Sequence, residues 1–301
     1  SIAVTGVQTC ALPILKMNNL PIFVAEVSSN HSQDFNRAKE FIKVSSQIGC
    51  QAVKFQLFKI DKLFAPEILA KSKTHRDRKE WELPIEFIPE LSTYSHSLGL
   101  QFSCTPFYLE AVKELEPYVD FYKIASYELL WDDLIIECAK TKKDLVLSTG
   151  MATLDEINHA VEVFKTYSNS KLTLLHAISG YPTPLKEANL KAIETLRNKF
   201  KIDVGLSDHS VSKDVITRAI YKWDASMIEF HLDLDENGAE YKSGHCWLPN
   251  QMEETIKSIK NGFLADGTGE KIPAPSEIDD RLWRADPSDG LRPFKEIREK
   301  F

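Results

Sequence analysis

The chain is short of everything that would make it a disulfide scaffold, a membrane protein or a nucleic-acid clamp. Only five cysteines occur in 301 residues (Cys10, Cys50, Cys104, Cys138 and Cys246), with no C-x-x-C pair. An odd, scattered set excludes a disulfide framework and a paired-cysteine structural zinc site, and makes a reducing cytoplasm the expected compartment. No apolar run approaches the ~20 residues of a membrane span, so no membrane partner is expected. Lys and Arg number 37 against 44 Asp and Glu, a net charge of −7. No global positive field exists to hold a nucleic-acid backbone, so a nucleic-acid partner is excluded and an anionic ligand needs locally placed cations. There is no internal repeat and no low-complexity tract. What remains is 43% hydrophobic and 27% charged, the composition of an ordinary globular protein whose length suits one α/β barrel.

The first residues stand apart. They lack the basic n-region of a signal peptide, and Cys10 and Pro13 interrupt the apolar stretch. The segment Val4–Ile14 can be encoded by DNA resembling a common sequencing-adapter oligonucleotide read in frame. Residues 1–16 are therefore expected to be a non-native extension, with Met17 a plausible start and Cys10 carrying no function.

From Pro21 onward, short apolar or β-branched runs alternate with longer helical patterns. The strands fall at Ile22–Glu26, Ala52–Gln56, Gln101–Ser103, Phe121–Ile124, Leu145–Ser148, Leu172–His176, Asp203–Leu206 and Met227–His231. The helices fall at Phe35–Ile48, Glu86–Ser97, Glu110–Glu116, Trp131–Thr141, Leu154–Tyr167, Asn189–Asn198, Lys213–Lys222 and Gln251–Gly262. Thr153 with Glu156 forms a capping box, and Ser212 precedes an acidic first turn. Eight βα units without a Gly-rich first turn predict a (β/α)8 TIM barrel rather than a doubly wound sheet. The barrel is expected over residues 17–265, followed by a Pro- and Gly-punctuated extension over 266–301 that ends in helical Lys295–Phe301. The long second connection, Leu57–Leu83, contains the mixed-sign run Lys71–Glu80, read as a solvated surface.

Barrel enzymes place chemistry at the C-terminal ends of their strands, and this sequence puts its unusual polar residues there. Strand one ends in Glu26 and leads to Asn30 and His31; strand two carries Lys54 and Gln56; strand three leads to Thr105. Strand four gives Lys123, Ser126 and Glu128, strand five Ser148, and strand six His176, Ser179 and Tyr181. Strand seven runs into Ser207, Asp208 and His209, and strand eight carries Glu229 and His231. One such residue could be a paired structural charge, but a habit shared by nearly every strand is not coincidence. Lys54 and Lys123 can reach a common anion, with the hydroxyls of Thr105, Ser126, Ser148, Ser179 and Ser207 as uncharged donors. A Schiff-base lysine is the competing use. His209 and His231, on adjacent strands and flanked by Asp208 and Glu229, can converge on one ion. Two strong ligands leave positions open for water and substrate, which suits Mn2+ or Mg2+ better than structural zinc.

These pieces resemble the sialic acid (N-acetylneuraminate, or nonulosonate) synthases, which condense phosphoenolpyruvate with an N-acyl hexosamine. The resemblance is carried by AEVSSNH (Ala25–His31), VKFQ (Val53–Gln56), SCTPF (Ser103–Phe107), KIASYE (Lys123–Glu128), LSTGM (Leu147–Met151), LLHAISGYPTP (Leu174–Pro184), GLSDHS (Gly205–Ser210) and EFHLD (Glu229–Asp233). It implies that Lys54, Thr105, Lys123, Ser126, Ser148 and Ser207 hold phosphoenolpyruvate. Glu26, Gln56, Glu128 and Tyr181 would face an N-acetylmannosamine-like sugar, with Glu26 orienting it or handling its proton, and His209 and His231 would bind Mn2+. The resemblance also implies a C-terminal antifreeze-like domain, absent from this stretch, which in relatives lends an arginine to the sugar pocket of a partner subunit; a homodimer is thus allowed.

Three departures leave the sugar open. Ser179-Gly180 stands where many members have Asn-Ile, and Glu240 falls where the family often has Gly-Pro-Asp. The run Gly244-His245-Cys246-Trp247-Leu248-Pro249 is read as a structural loop rather than a Cys/His metal site. A Schiff-base aldolase and a non-catalytic sugar-binding pseudoenzyme stay as alternatives. The paired histidines count against the first, and intact Lys54, Lys123, His209 and His231 against the second.

Overall fold

The computed structural model describes residues 20–300; the expected non-native extension over residues 1–16 lies outside them. Eight parallel strands close into a barrel in sequential order. They are β1 (Ile22–Glu26), β2 (Ala52–Leu57), β3 (Gln101–Pro106), β4 (Phe121–Ile124), β5 (Asp144–Ser148), β6 (Leu172–Ala177), β7 (Asp203–Asp208) and β8 (Met227–His231). Each is followed by a barrel helix: α1 (Phe35–Gln47), α2 (Ile88–Ser97), α3 (Leu109–Leu115), α4 (Asp132–Lys140), α5 (Leu154–Tyr167), α6 (Ala192–Phe200), α7 (Lys213–Tyr221) and α8 (Pro249–Asp266). The (β/α)8 architecture expected from the sequence is the one observed.

The helices pack because their apolar residues repeat at helical spacing. In α5 the buried positions are Ile157, Ala160, Val161 and Phe164. In α1 they are Ala38, Phe41, Ile42 and Ser45. Thr153 and Glu156 form the predicted capping box, and Asp34 caps α1 by accepting from Arg37 N at 2.9 Å. Ser212 takes the extended N-cap conformation before an acidic first turn carrying Asp214, as expected, although its side chain makes no capping bond.

Several strands run longer than their apolar cores suggest. The β3 pairing continues through Cys104, Thr105 and Pro106, and β7 continues to Asp208. A polar residue inside a closed barrel keeps the ladder because its side chain finds partners in the interior. The second connection is also more ordered than a loop, with helices at Ile60–Leu63, Pro66–Lys71 and Lys73–Asp77 and a 3-10 turn at Arg78–Trp81.

The barrel's inner face is layered. Val24, Ala52, Phe121, Val146, Leu175 and Met227 form one apolar cluster, flanked by Ile22. Gly205 of β7 belongs to this level because its β6 and β8 neighbours leave no room: a Cβ there would collide with the Met227 carbonyl and the Leu175 side chain. Residues 20–261 fall in the barrel unit; residues 262–300 form a separate unit. That second unit holds 3-10 turns at Pro275–Glu277 and Asp279–Trp283 and a helix at Lys295–Arg298, shorter than the expected Lys295–Phe301. It is tied by a two-pronged Arg298–Asp289 pair at 2.8 and 2.9 Å.

Gly205→Ala is expected to destabilise the barrel by about 1–3 kcal/mol, the usual cost of overpacking, read as a lower urea midpoint with an unchanged slope. An unchanged midpoint would show that the apolar layer yields at this point.

Candidate active site at the barrel mouth

A strand's side chains repeat every two residues, so the residue two positions beyond each member of the apolar layer sits directly above it. Those residues are Glu26, Lys54, Lys123, Ser148, Ala177, Ser207 and Glu229, all buried. One further step brings Ser28, Gln56, His209 and His231 to the rim. Along the ladders Glu26 lies opposite both Lys54 and His231, and Ser207 opposite Glu229, so the barrel's stagger brings the rim end of β8 beside the charged layer of β1.

Within the charged layer the two lysines are not free. Lys123 Nζ donates to Glu229 Oε1 at 2.8 Å, and Ser207 Oγ donates to the same oxygen at 3.0 Å. Lys54 is ion-paired with Glu26, lies 3.9 Å from Glu229 Oε2 and donates to Thr105 Oγ1 at 3.3 Å. Burial opposes the charge on Glu229, but Lys123 and Lys54 together hold its carboxyl down at about 2. Burial likewise opposes the charge on Lys54, which Glu229 and Glu26 nonetheless keep protonated, above its ordinary range. Burial lowers Lys123 despite its partner. The layer thus sets two ammonium groups against two carboxylates and is close to neutral. Glu229, read from the sequence as a flank of the metal pair, belongs instead to the lysines.

The histidine pair sits one layer higher. His209 Nδ1 lies 2.8 Å from the carbonyl of Ile178, which can only accept, so Nδ1 carries the proton and Nε2 keeps its lone pair. His231 Nδ1 donates in the same way to Glu240 Oε2 at 3.0 Å. The ring centroids are 5.4 Å apart. Burial and neighbouring His231 lower His209 to about 3, which keeps it neutral. Burial opposes charge on His231, but the Glu240 bond outweighs it and raises its pKa. A fixed Nδ1–H with an open Nε2 is the arrangement of metal-binding histidines. Asp208 does not join them. Its carboxylate accepts from Trp247 Nε1 at 3.0 Å and from the Ser210 and Val211 amides, and so clamps the loops.

The remaining predicted residues surround these layers. Gly150 N donates to Ser126 Oγ at 3.0 Å, and a Cβ on Gly150 would strike both Ser126 and Ser179, so these two hydroxyls lie side by side. Ser179 Oγ is buried without a hydrogen-bond partner. Gln56 Nε2 donates to Glu26 Oε1 at 2.7 Å, which leaves its amide oxygen for another group. Tyr181, 43% exposed, packs on His209 with centroids 4.2 Å apart. Glu128 stands apart electrostatically: burial raises its carboxyl to about 7, with Lys123 in reach, and its Oε2 has no partner. His176 is not part of the site, because its Nε2 donates to the Ala188 carbonyl at 2.9 Å.

A cleft of about 830 Å3 opens over the rim, bordered by Ser29, Gln56, Arg78, Tyr181, His231 and Glu240. Three of these, Ser29, Arg78 and Glu240, were not among the candidate site residues. Arg78 comes from the run read as solvated. Its guanidinium lies over Trp81 and Phe64, at 5.2 and 5.5 Å from their ring centres, and its Nε is buried without a partner. Glu240 looked like a departure in a loop, yet its Oε1 accepts from Ser28 Oγ at 2.6 Å and Ser29 Oγ at 2.9 Å. The loop reaches that far because Gly238 leaves space that a Cβ would fill against Asp233, itself paired with Arg37 at 2.8 Å.

Closed barrel and polar mouth together define a (β/α)8 protein with its site at the C-terminal ends of the strands. Comparison with known proteins narrows this: the sequence pattern of the NeuB family matches residues 41–271. The chain is 37% identical over 263 residues to an uncharacterized protein of Methanocaldococcus jannaschii, covering 86% of this chain and 76% of that one. It is 33% identical over 275 residues to the N,N'-diacetyllegionaminic acid synthase of Legionella pneumophila, covering 85% and 76%. Its fold matches the N-acetylneuraminic acid synthetase of Leptospira borgpetersenii with a TM-score of 0.76 and 28% identity, over 87% of this chain and 90% of that one. The chain belongs to the NeuB family.

Two predictions test the charged layer. Lys123→Met leaves Glu229 with only the more distant Lys54 and should cost about 3–5 kcal/mol, as uncompensated buried charges do. Adding Glu229→Gln should recover most of that loss in chemical denaturation; equal instability of both variants would show that packing, not charge, sets the cost.

Glu128 binds more protons folded, with its carboxyl near 7, than unfolded near 4.5. Stability therefore falls as pH rises from 4.5 to 7 and stays lowered above that. Glu128→Gln should match the parent protein below pH 4.5 and exceed it above pH 7 by up to about 3 kcal/mol. Parallel stability curves across this range would remove the raised carboxyl.

Proposed function

We propose that this chain condenses phosphoenolpyruvate with the open-chain form of an N-acyl hexosamine, N-acetylmannosamine-like, to give a nonulosonic acid and phosphate. The observation that carries this reading is the pair of imidazoles with both Nδ1 atoms tied and both Nε2 atoms open, set directly above a buried lysine and hydroxyl layer. Synthases of sialic-type acids among its relatives supply the reaction class.

The donor set fits a divalent cation, Mn2+ or Mg2+, held by His209 and His231. When bound, such an ion acts as a Lewis acid toward an aldehyde oxygen. It also answers an electrostatic need. Two lysines offset by two carboxylates cannot by themselves neutralise an anion as charged as phosphoenolpyruvate.

The chain's own residues divide the work. Lys54, Thr105, Lys123, Ser126, Ser148 and Ser207 hold the phosphate and carboxylate, with charge-assisted bonds from the ammonium groups. Glu26, Gln56, Ser179 and Tyr181 orient the sugar. The enol carbon forms the new bond to the aldehyde carbon, whose oxygen takes up one proton. Water adds at C2 and gives up one proton; the bond between C2 and the phosphate oxygen then breaks as the new hydroxyl closes to the C2 carbonyl, and its proton leaves with the phosphate. A buried carboxyl with an oxygen left unpartnered and its pKa pushed up to about 7 suits such an exchange, so Glu128 is the candidate to carry the proton and Glu26, bound to Lys54 and Gln56, to orient the sugar. A Schiff base on Lys123 would require it to leave Glu229.

The test is phosphate release across a panel of N-acyl sugars with Mn2+. Release should require both substrates, vanish in EDTA, and fall at least 100-fold in His209→Ala. Full activity in EDTA, or substrate-dependent borohydride trapping on Lys123, would overturn the reading.

A further inference from the structure

The run from Gly244 to Pro249, read from the sequence as a structural loop, delivers two more donors to the neighbourhood of His231. His231, Glu240, His245 and Cys246 each offer one ligand atom, and the four atoms lie within 4.8 Å of one another. From Glu240 Oε2 the separations are 3.0 Å to His231 Nδ1, 3.5 Å to His245 Nε2 and 3.7 Å to Cys246 Sγ. A tetrahedral zinc site, with metal–nitrogen bonds of about 2.0 Å and metal–sulfur bonds of about 2.3 Å, has ligand-to-ligand edges of about 3.3–3.8 Å. The spacing around Glu240 is already close to that of a four-coordinate site.

Each donor is also oriented from behind. Ser243 Oγ lies 2.8 Å from His245 Nδ1 and turns Nε2 toward Glu240. Glu240 Oε1 is engaged by Ser28 and Ser29, which leaves Oε2 facing the other three. Asn30 Nδ2, fixed on the Leu232 carbonyl at 2.9 Å, lies 3.7 Å from Cys246 Sγ. Such outer contacts are what a metal site needs to hold its ligands in place. His245 and Cys246 are both buried.

The geometry points to a second cation site, built by His231, Glu240, His245 and Cys246, that takes a thiophilic divalent cation of the zinc class and excludes a cation from the His209–His231 pair. A thiolate and two imidazoles select against Mn2+ and Mg2+, which prefer oxygen. Exclusion follows from the shared ring. The proposed reaction uses His231 through Nε2 with the proton on Nδ1; the second site uses Nδ1. On binding there, the ring proton leaves Nδ1 and one is taken up at Nε2, while the Cys246 thiol releases its proton to solvent. One neutral imidazole then serves one ion at a time, so zinc-class ions switch the reaction off. The exclusion rests on the function proposed above; the thiolate site does not.

Cd2+ titrated into the metal-free full chain provides the test, through the ultraviolet charge-transfer band of a cadmium–thiolate bond. The band should saturate at one equivalent, vanish in Cys246→Ser, persist in Cys50→Ser, and require at least tenfold more Cd2+ in His245→Ala, which keeps the thiol should Cys246→Ser fold poorly. No band in the parent protein, or an unchanged band in Cys246→Ser or His245→Ala, would overturn the site. Mn2+ followed by electron paramagnetic resonance should be released as Cd2+ binds, and simultaneous occupancy would overturn the exclusion. His209→Ala should lose Mn2+ yet keep the cadmium band. Failure of the parent protein to bind Mn2+, with the band intact, would count against the proposed function and the exclusion while leaving the thiolate site standing.

Discussion

The Glu229 carboxylate is the contact on which the barrel mouth depends. It stands on β8 one layer above an apolar plug, and it draws Lys123 from β4 and Ser207 from β7 onto a single oxygen. Without it, two ammonium groups would share a water-poor interior and repel one another; without them, its own charge would be too costly to bury. Glu26 repeats the arrangement on neighbouring β1 by holding Lys54 and receiving Gln56. The quartet therefore fixes four strands at their functional ends while remaining close to neutral. A site of that kind is polar and preorganised yet not strongly basic, so it can admit an anion without depending on an electropositive surface. The net charge of −7 is consistent with that.

Above the quartet, the rim begun by strand-end residues is completed by the connection after β8. Arg37 on α1 grips Asp233 and Asp235, and Gly238 lets the chain fold against Asp233. That turn carries Glu240 back across the mouth to Ser28 and Ser29 beyond β1. One carboxylate thus ties the first and last βα units together and at the same time fixes the tautomer of His231. Trp247 adds a second tie by donating to Asp208 at the end of β7. The chemical state of the rim imidazole is consequently set by a loop fold, several contacts removed from the barrel itself.

This division explains which parts were legible in the sequence. Strand alternation is local: the period of two that places Val24 below Glu26, or Met227 below Glu229 and His231, can be read within five residues. The barrel and the layer of polar residues followed from it. Which polar residue pairs with which did not follow, because partners such as Lys123 and Glu229 lie 106 positions apart and their side-chain reach depends on barrel stagger. Asp208 and Glu229 were therefore placed beside the histidines, when one clamps Trp247 and the other serves the lysines. Arg78 was hidden for another reason: mixed charges read as solvated, and nothing local in Lys71–Glu80 shows that the guanidinium lies over Phe64 and neighbouring Trp81. Gly238 was the available signal for Glu240, but its significance is steric and needs Asp233 in place.

The same division bears on where a substrate would be distinguished at this mouth. The quartet and the lower layer are constrained by charge balance and packing, so a single change there disturbs several partners at once. The cleft walls come mostly from connections instead, among them the helical segment after β2, which supplies Arg78, and the loop after β8, which supplies Glu240 and His245. Both are anchored outside the barrel interior, Arg78 by its aromatic neighbours and Glu240 by loop serines. Changes in these walls alter the shape and polarity presented to a substrate while leaving the charged layer intact. The bidentate geometry of an arginine suits carboxylate or amide oxygens, and Arg78 presents a buried, unpartnered Nε at the cleft. Under the proposed function, selectivity for the substrate is thus expected to reside in Arg78 and Glu240, and the common chemistry in the strands beneath them.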